Sequence, residues 1–251
     1  MTRIPHQLLR ELGWTLALGL TLAGCGGGDP QGRNIGEQVK EGSQTLGAIT
    51  AGATSFGTNL LIDPSFESRI ELGDLPASPD RWRGDLCTSV AAENGIAPHS
   101  GATMLKFQAT GAVPSFGRLT ARQWQLVDLS PFASAIAAGG VRAATGAWFN
   151  RVVGGELTDR RFDLRVMAFG GNPADLPARY AANSWLAEDT APLISVPDSW
   201  QQVQASMVLP PGTTYLLVEI YASEDVFNDG DELEFSGHYA DDVSLTLFAS
   251  N

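Results

Sequence analysis

Apolar and polar residues alternate along most of the chain from residue 59 onward. In residues 160–169, RRFDLRVMAF, every second residue is apolar and the residues between are mostly charged. The same period of two recurs in residues 103–109, 123–129, 200–209 and 214–222. A period of two is typical of β-strands with one buried face. The sequence therefore predicts strands rather than helices over most of this region.

Clusters of Gly, Pro, Asn and Asp separate these stretches, as expected for turns. Only residues 130–140, SPFASAIAAGG, and residues 172–184, NPADLPARYAANS, look briefly helical. About nine or ten strands without the rhythm of βαβ units favour one all-β domain, a sandwich or a barrel, over residues 59–251. A domain of this size can bury a sufficient core without disulfides or metals.

The first 24 residues have the pattern of a signal peptide. Two arginines precede the apolar run WTLALGLTLAG, which is shorter than the roughly 20 residues of a membrane-spanning helix. The run ends in Leu22-Ala23-Gly24-Cys25, which resembles a bacterial lipobox. The resemblance implies cleavage before Cys25, acylation of Cys25 and anchoring to a lipid bilayer at the cell envelope, in an outer membrane or at the cell surface. An ordinary secretory signal that ends near a cysteine is the alternative.

The segment after Cys25 is rich in Gly, Ser and Thr and has no apolar period. We interpret residues 25–58 as the lipidated cysteine and a flexible linker, with an end-to-end distance on the order of 30 Å. Acylation of Cys25 would leave Cys87 as a single thiol, so no internal disulfide would form. Cys87 is interpreted as a buried, inert thiol.

Charge is distributed unevenly along the chain. Residues 180–251 contain 12 of the 28 acidic residues and no Lys or Arg, so this part accounts for the formal net charge of −12. Nucleic acid is excluded as a partner on this basis, since phosphate binding needs a basic patch.

Three segments resemble carbohydrate-binding modules of the galactose-binding-domain-like superfamily. They are NLLIDPSFES at residues 59–68, APHSGATMLKF at residues 97–107 and HYADDVSLTL at residues 238–247. The resemblance implies a single jelly-roll β-sandwich whose first and last strands lie together, often with a structural calcium ion between them. The order of the three segments along the chain matches this family.

By the same resemblance, Glu67 and Asp242 correspond to residues whose side chains bind that ion, and Asp241 is a further candidate. Ca²⁺ takes six to eight oxygen ligands in flexible geometry. A cation would also offset the repulsion between carboxylates from the two ends of the domain. The alternative is that Glu67 and Asp242 cap turns by accepting hydrogen bonds from backbone N–H groups.

Aromatic side chains are the candidate sugar-binding residues, because modules of this kind stack exposed rings on sugars. Alternation places Trp148 and Phe149 on opposite faces, and it places Tyr221 opposite the apolar residues of its strand. Trp82 and Trp185 lie in predicted loops. Any of these rings can instead belong to the core, since aromatic side chains bury a large apolar area. The remaining candidates are Trp124, Trp200 and Tyr180.

The sequence shows no nucleophile elbow, zinc-protease helix or phosphate-binding loop. We therefore predict a non-catalytic lipoprotein module that binds carbohydrate. The alternatives are an envelope structural or adhesion protein that contacts other proteins, and a glycan-active hydrolase with an unrecognised acidic site. The fold alone does not decide among these functions.

Overall fold

The computed structural model describes residues 55–108, 120–154, 158–226, 235 and 237–249. The described residues form eleven strands and two short α-helices. The strands are β1 Glu71–Leu72, β2 Arg83–Gly84, β3 Cys87–Val90, β4 Met104–Phe107, β5 Thr120–Asp128, β6 Val141–Arg151, β7 Arg161–Phe169, β8 Ala187–Ile194, β9 Gln201–Val208, β10 Tyr215–Ser223 and β11 His238–Ala249. The helices are α1 Ala133–Ala138 and α2 Leu176–Ala181.

The strands form two sheets that pack into a β-sandwich. The six-stranded sheet has the order β1-β2-β5-β10-β7-β8, and the five-stranded sheet has the order β3-β4-β11-β6-β9. All pairs are antiparallel except that of β1 with β2. From β4 to β7, and again from β8 to β11, each strand crosses to the other sheet, as in a jelly roll. The all-β sandwich predicted from alternation is confirmed.

Alternation determines which side chains fill the space between the sheets. In β7, Phe162, Leu164 and Val166 are fully buried in the common core, whereas the residues between them point to the outside of the sheet. In β6, Phe149 is buried in the same core and Trp148 lies on the opposite face, as predicted. Burying these side chains provides most of the driving force for folding.

The two ends of the domain lie side by side. The Leu60 N–H donates to the Leu245 carbonyl at 2.8 Å, and the Val243 N–H donates to the Pro64 carbonyl at 2.9 Å. The Asn59 side chain spans both segments, since its amide nitrogen donates to Val243 and its oxygen accepts from Leu245. Residues 57–64 therefore lie along β11, which itself is the middle strand of the five-stranded sheet.

Both predicted helical segments are helical. The helix α1 follows a 3-10 turn at Ser130–Phe132, and α2 follows a second such turn at Pro173–Asp175. Among the described residues, no helix has the length and apolar character needed to span a bilayer. The predicted signal peptide, Cys25 and most of the linker lie outside the described residues.

Candidate functional site

Two features of the structure are candidates for function. The first is a cluster of polar side chains where the ends of the domain meet, which we call the clasp. It consists of Ser65, Glu67, His99, Ser100, Asp241 and Asp242. The second is the outer face of the six-stranded sheet.

Asp242 is the centre of the clasp. Its Oδ1 accepts hydrogen bonds from the hydroxyls of Ser65 and Ser100, both at 2.6 Å. Its Oδ2 lies 2.6 Å from Nδ1 of His99. A bulge in β11 and a left-handed backbone, with φ of 45° at Asp242, turn this side chain toward the two serines and the imidazole.

The carboxylates of Asp241 and Glu67 accept hydrogen bonds from backbone N–H groups instead of from side chains. Asp241 is fully buried, and its Oδ2 accepts the N–H groups of His99 and Ser100 at 2.8 and 3.1 Å. Glu67 Oε1 accepts the N–H groups of Ala102 and Thr103 at 2.8 and 3.2 Å. Glu67 thus caps a turn, which is one of the two alternatives derived from the sequence.

Glycine is required at position 101 for this arrangement. Gly101 has φ of 64°, and a Cβ there would lie 2.0 Å from Glu67 Oε1. The Ser-Gly pair after His99 therefore lets the loop approach the Glu67 carboxylate closely.

The two aspartates of the clasp have opposite pKa shifts. Burial raises the pKa of the Asp241 carboxyl to about 6, and its backbone hydrogen bonds offset burial only in part. Burial also disfavours the charged form of Asp242, but hydrogen bonds from His99, Ser100 and Ser65 outweigh burial and lower its pKa. Between the pKa of Asp242 and that of Asp241, the pair therefore carries one negative charge, on Asp242.

Ca²⁺ takes six to eight oxygen ligands, so several oxygens of the clasp would have to converge on one point. The oxygens of Asp242 accept from hydroxyls and an imidazole, and Glu67 Oε1 accepts two N–H groups. In the part of the chain that the structure describes, no group of three or more His, Cys, Asp or Glu side chains is placed to hold a metal ion. In this arrangement the carboxylate oxygens of the clasp do not form a calcium-binding shell. Calcium at Glu67, Asp242 and Asp241 stays a prediction.

The clasp connects to two tryptophans on the outside of the five-stranded sheet. The His99 ring stacks on Trp148, with centroids 4.0 Å apart and an angle of 21° between the rings. Trp200 meets the same imidazole edge-on at 5.8 Å, and its indole N–H donates to the Ala97 carbonyl. Trp148 is therefore partly covered by the clasp.

The outer face of the six-stranded sheet divides into an apolar half and a polar half. The apolar half is covered by α2, whose Leu176 is fully buried there. Leu176 and Tyr180 of α2, together with Leu75 and Trp185, pack on the outward residues of three strands. Those residues are Trp124, Leu126, Met167, Phe169, Tyr215 and Leu217.

The polar half begins at the edge of α2, with Glu219 of β10 at its centre. In the strand register Glu219 lies opposite Trp124 on one side and Arg165 on the other. One step along the strands, Tyr221 lies opposite Arg122 and Asp163. Alternation in β5, β7 and β10 thus brings acidic, basic and aromatic side chains to one surface.

Glu219 is a buried carboxylate that is only partly satisfied. It is 1% exposed, and its Oε1 accepts a hydrogen bond from the Tyr180 hydroxyl at 2.9 Å. Arg122 Nε lies 3.4 Å from Oε1 and Arg165 Nη1 lies 3.6 Å from Oε2. At these distances the two arginines offset the negative charge of Glu219, but they are too far away for good hydrogen bonds.

Three buried polar atoms on this surface lack hydrogen-bond partners among the described residues. They are the acceptor Oε2 of Glu219 and the donors Nε of Arg122 and Nε1 of Trp124. A buried polar atom without a partner costs on the order of 1–3 kcal/mol. Natural proteins rarely keep such atoms, and one reason to keep them is a ligand that supplies the missing partners.

The other arginines of the surface are already paired. Arg161 makes two hydrogen bonds to the carboxylate of Asp163, at 2.8 and 2.9 Å. Arg165 makes two to Glu188 and lies over the ring of Trp185, 4.5 Å from its centroid. Only Arg122 has no side-chain hydrogen bond among the described residues, and its guanidinium lies over the Tyr221 ring at 5.7 Å.

The phenol groups of Tyr221 and Tyr180 lie in a low-dielectric environment. Burial, reinforced by the charges of Asp163 and Glu219, raises the pKa of the Tyr221 hydroxyl to about 12. Burial and Glu219 likewise raise the pKa of Tyr180. Both phenols are therefore neutral at physiological pH and keep their protons as hydrogen-bond donors.

The predicted aromatic residues are thus distributed over different parts of the domain. Tyr221 and Trp185 lie on the outer face of the six-stranded sheet, and Trp148 lies on the outside of the other sheet. Trp82 is a correction: it is 1% exposed and packs on Phe66, so its ring cannot stack on a ligand.

The sequence did not indicate Glu219 or Arg122 as site residues, and it indicated Trp124 only as one of several aromatic candidates. A signal was present for Glu219, since alternation places it on the face of Tyr221. Arg122 and Trp124 also share one face of β5, but nothing local shows which face of a strand becomes the outside.

No protein-family model matches the sequence, and no curated protein sequence matches it. Solved structures do resemble it. The CBM22-2 xylan-binding domain of Paenibacillus barcinonensis Xyn10C is 16% identical, with a TM-score of 0.39, over 66% of this chain and 91% of that one. The C-terminal family 22 carbohydrate-binding module of Clostridium thermocellum Xyn10B is 13% identical, with a TM-score of 0.44, over 77% and 95%. Each similarity concerns the β-sandwich fold.

Proposed function

We propose that this protein is a carbohydrate-binding lipoprotein of the cell envelope, which binds its ligand on the polar half of the outer face of the six-stranded sheet. The observation that supports this most directly is the set of buried, unpartnered atoms around Glu219. A sugar hydroxyl both donates and accepts hydrogen bonds. Because these atoms are buried, a sugar hydroxyl would reach them only after a covering side chain such as Arg122 moves aside. One hydroxyl could then donate to Glu219 Oε2 while it or a neighbouring hydroxyl accepts from Arg122 or Trp124.

The rings on the same surface would supply the apolar contact. Tyr221 and Trp185 are each partly exposed, and each is paired with an arginine that fixes its position. Ligand sites of this kind combine aromatic surface with a few well-placed polar groups. Binding, without turnover, is the activity that this arrangement supports.

The test is a glycan array followed by titration calorimetry on the glycans that bind. Glu219→Gln keeps the size of the side chain and one acceptor oxygen, and we expect binding to weaken by about tenfold or more, because a hydrogen bond to a charged group contributes roughly 1.5–3 kcal/mol. Glu93→Gln is the matched control, since Glu93 pairs with Lys106, which lies in the other sheet. If Glu219→Gln and the control both bind with wild-type affinity, the ligand does not bind at Glu219.

A negative array combined with capture of a defined protein partner by cross-linking on cells would instead support the adhesion alternative. Release of reducing ends from a polysaccharide would support the hydrolase.

The lipid anchor is a separate part of the proposal. It rests on the lipobox-like segment before Cys25, which lies outside the described residues. Cys25→Ser is expected to move the protein from the membrane fraction to the soluble fraction. Unchanged fractionation and the absence of an acyl group on the wild-type protein by mass spectrometry would refute the anchor and leave the sugar site untouched.

A further inference from the structure

The outside of the five-stranded sheet carries a second surface feature, distant from Glu219. The loop of residues 91–100 covers one half of this sheet face, where Ile96 packs on Met104 and Tyr239. The other half forms a trough of about 550 Å³. Its described lining includes Arg142, Ala144, Gly146, Gln204, Ser244 and Phe248.

The floor of the trough is low because its central residues are small. Ala144 and Gly146 of β6 lie beside Thr246 and Ser244 of β11 and beside Ser206 and Gln204 of β9. A Cβ at Gly146 would lie 3.3 Å from the Ser244 hydroxyl, so even one added carbon begins to fill the floor.

The two ends of the trough carry aromatic rings. Phe248 is 46% exposed at one end, directly beside Arg142. At the other end Trp148 is the next outward residue of β6 after Gly146, held in place by its stack with His99. Trp148 is six residues after Arg142 along β6, which corresponds to about 20 Å along the strand.

The charge of the lining indicates the kind of occupant. Of the described residues that line the trough, only Arg142 and Asp189 are charged. The Asp189 carboxylate is engaged by the N–H groups of Ser206 and Thr190, and Arg142 donates to the Ser206 hydroxyl. On a chain with a net charge of −12, the opposite charges of Arg142 and Asp189 balance within the trough, and the rest of its described lining offers amides, hydroxyls and rings. An uncharged, hydroxyl-rich partner complements it.

We infer that the trough is a second glycan-binding site, for an uncharged sugar chain that lies along β6 between Phe248 and Trp148. Sugar hydroxyls would exchange hydrogen bonds with Gln204 and Ser244, and the rings at the two ends would stack on pyranose faces. The protein would then have a binding site on each outer face of its sandwich.

Native-gel electrophoresis through gels that contain xylan, β-glucan, glucomannan or galactan tests this inference, with polygalacturonate gels as the comparison for a charged polysaccharide. Ala144→Arg fills the trough, and Ala137→Arg, at an exposed position of α1 outside the trough, is its matched control. With two sites on one molecule, binding to a polymer is strengthened by multivalency. We therefore expect Ala144→Arg and Glu219→Gln each to weaken retardation roughly tenfold, and the double variant to lose it.

The outcomes separate the two sites. Retardation that is lost in Glu219→Gln and unchanged in Ala144→Arg would overturn the trough and leave the proposed function standing. The opposite pattern would overturn the Glu219 site and support the trough. Retardation of no variant, wild type included, would overturn both sites, and retardation only in polygalacturonate gels would overturn an uncharged ligand.

Two further measurements test whether Ala144→Arg acts by blocking a glycan. If Ala144→Arg lowers the melting temperature, Gln204→Ala and Phe248→Ala replace it, since both remove exposed contacts without filling the floor. If Ala144→Arg converts a dimer into a monomer by light scattering, the occupant is a second copy of this chain and the glycan inference is wrong.

Discussion

Replacing Asp242 tests whether the clasp holds the two ends of the domain together. Asp242→Ala removes the acceptor of three hydrogen bonds, from Ser65, Ser100 and His99. Because the Asp242 side chain is 25% exposed, water can replace part of this loss, and we expect the bonds to contribute about 2–3 kcal/mol together. The left-handed backbone adds about 1 kcal/mol for alanine.

Asp242→Asn separates these contributions. Asparagine tolerates a left-handed conformation and keeps one acceptor oxygen, so we expect a loss of only about 1 kcal/mol. Urea denaturation followed by circular dichroism at pH 7 measures both variants, and the alanine variant should also melt roughly 10 °C lower. Equal losses below 1 kcal/mol in both variants would mean that the carboxylate does not hold the seam.

Three further predictions concern the domain itself. If calcium binds at the clasp, EDTA lowers the melting temperature of wild type and leaves Asp242→Ala unaffected; an unchanged wild-type transition after metal removal refutes calcium. Trp82→Ala should cost about 3–5 kcal/mol in urea denaturation because the ring is fully buried, whereas a cost near zero would mean that Trp82 is exposed. Burial lowers the pKa of His238, so the folded state disfavours its protonation and loses stability as the pH falls below about 6.5. The pKa of Asp241 is raised to about 6, so its protonation adds stability to the folded state as the pH falls from about 6 to about 4. This effect is common to wild type and His238→Gln. The measured quantity is therefore the difference in unfolding free energy between these two proteins from pH 8 to 5. A difference that is independent of pH would contradict the prediction.

Much of the fold could be predicted from the sequence because alternation is a local signal. It placed Phe162 on the apolar face of its strand, Phe149 on the face opposite Trp148, and Tyr221 opposite the apolar residues of its strand, and the structure agrees. The Asn-Leu-Leu segment and the Asp-Asp-Val strand were predicted to be neighbours, and hydrogen bonds join them.

The candidate site was harder to predict, because it depends on which strands become neighbours. Glu219, Arg122 and Trp124 come from β10 and β5, which are nearly a hundred residues apart in sequence, and only the register brings them together. Trp82 follows a turn-rich stretch that looks like an exposed loop, yet its indole N–H donates to the Asp63 carbonyl and its ring fills the core. Tertiary packing, which no short pattern encodes, decides both cases.

The position of β11 has a consequence for how the chain reaches its native state. Because β11 is the middle strand of its sheet and also the partner of residues 57–60, neither the five-stranded sheet nor the seam can close before β11 has been synthesised. Such long-range pairing slows folding. A growing chain would therefore stay open until β11 appears, and a premature stop near residue 240 would leave an exposed half-sheet in place of a slightly smaller domain.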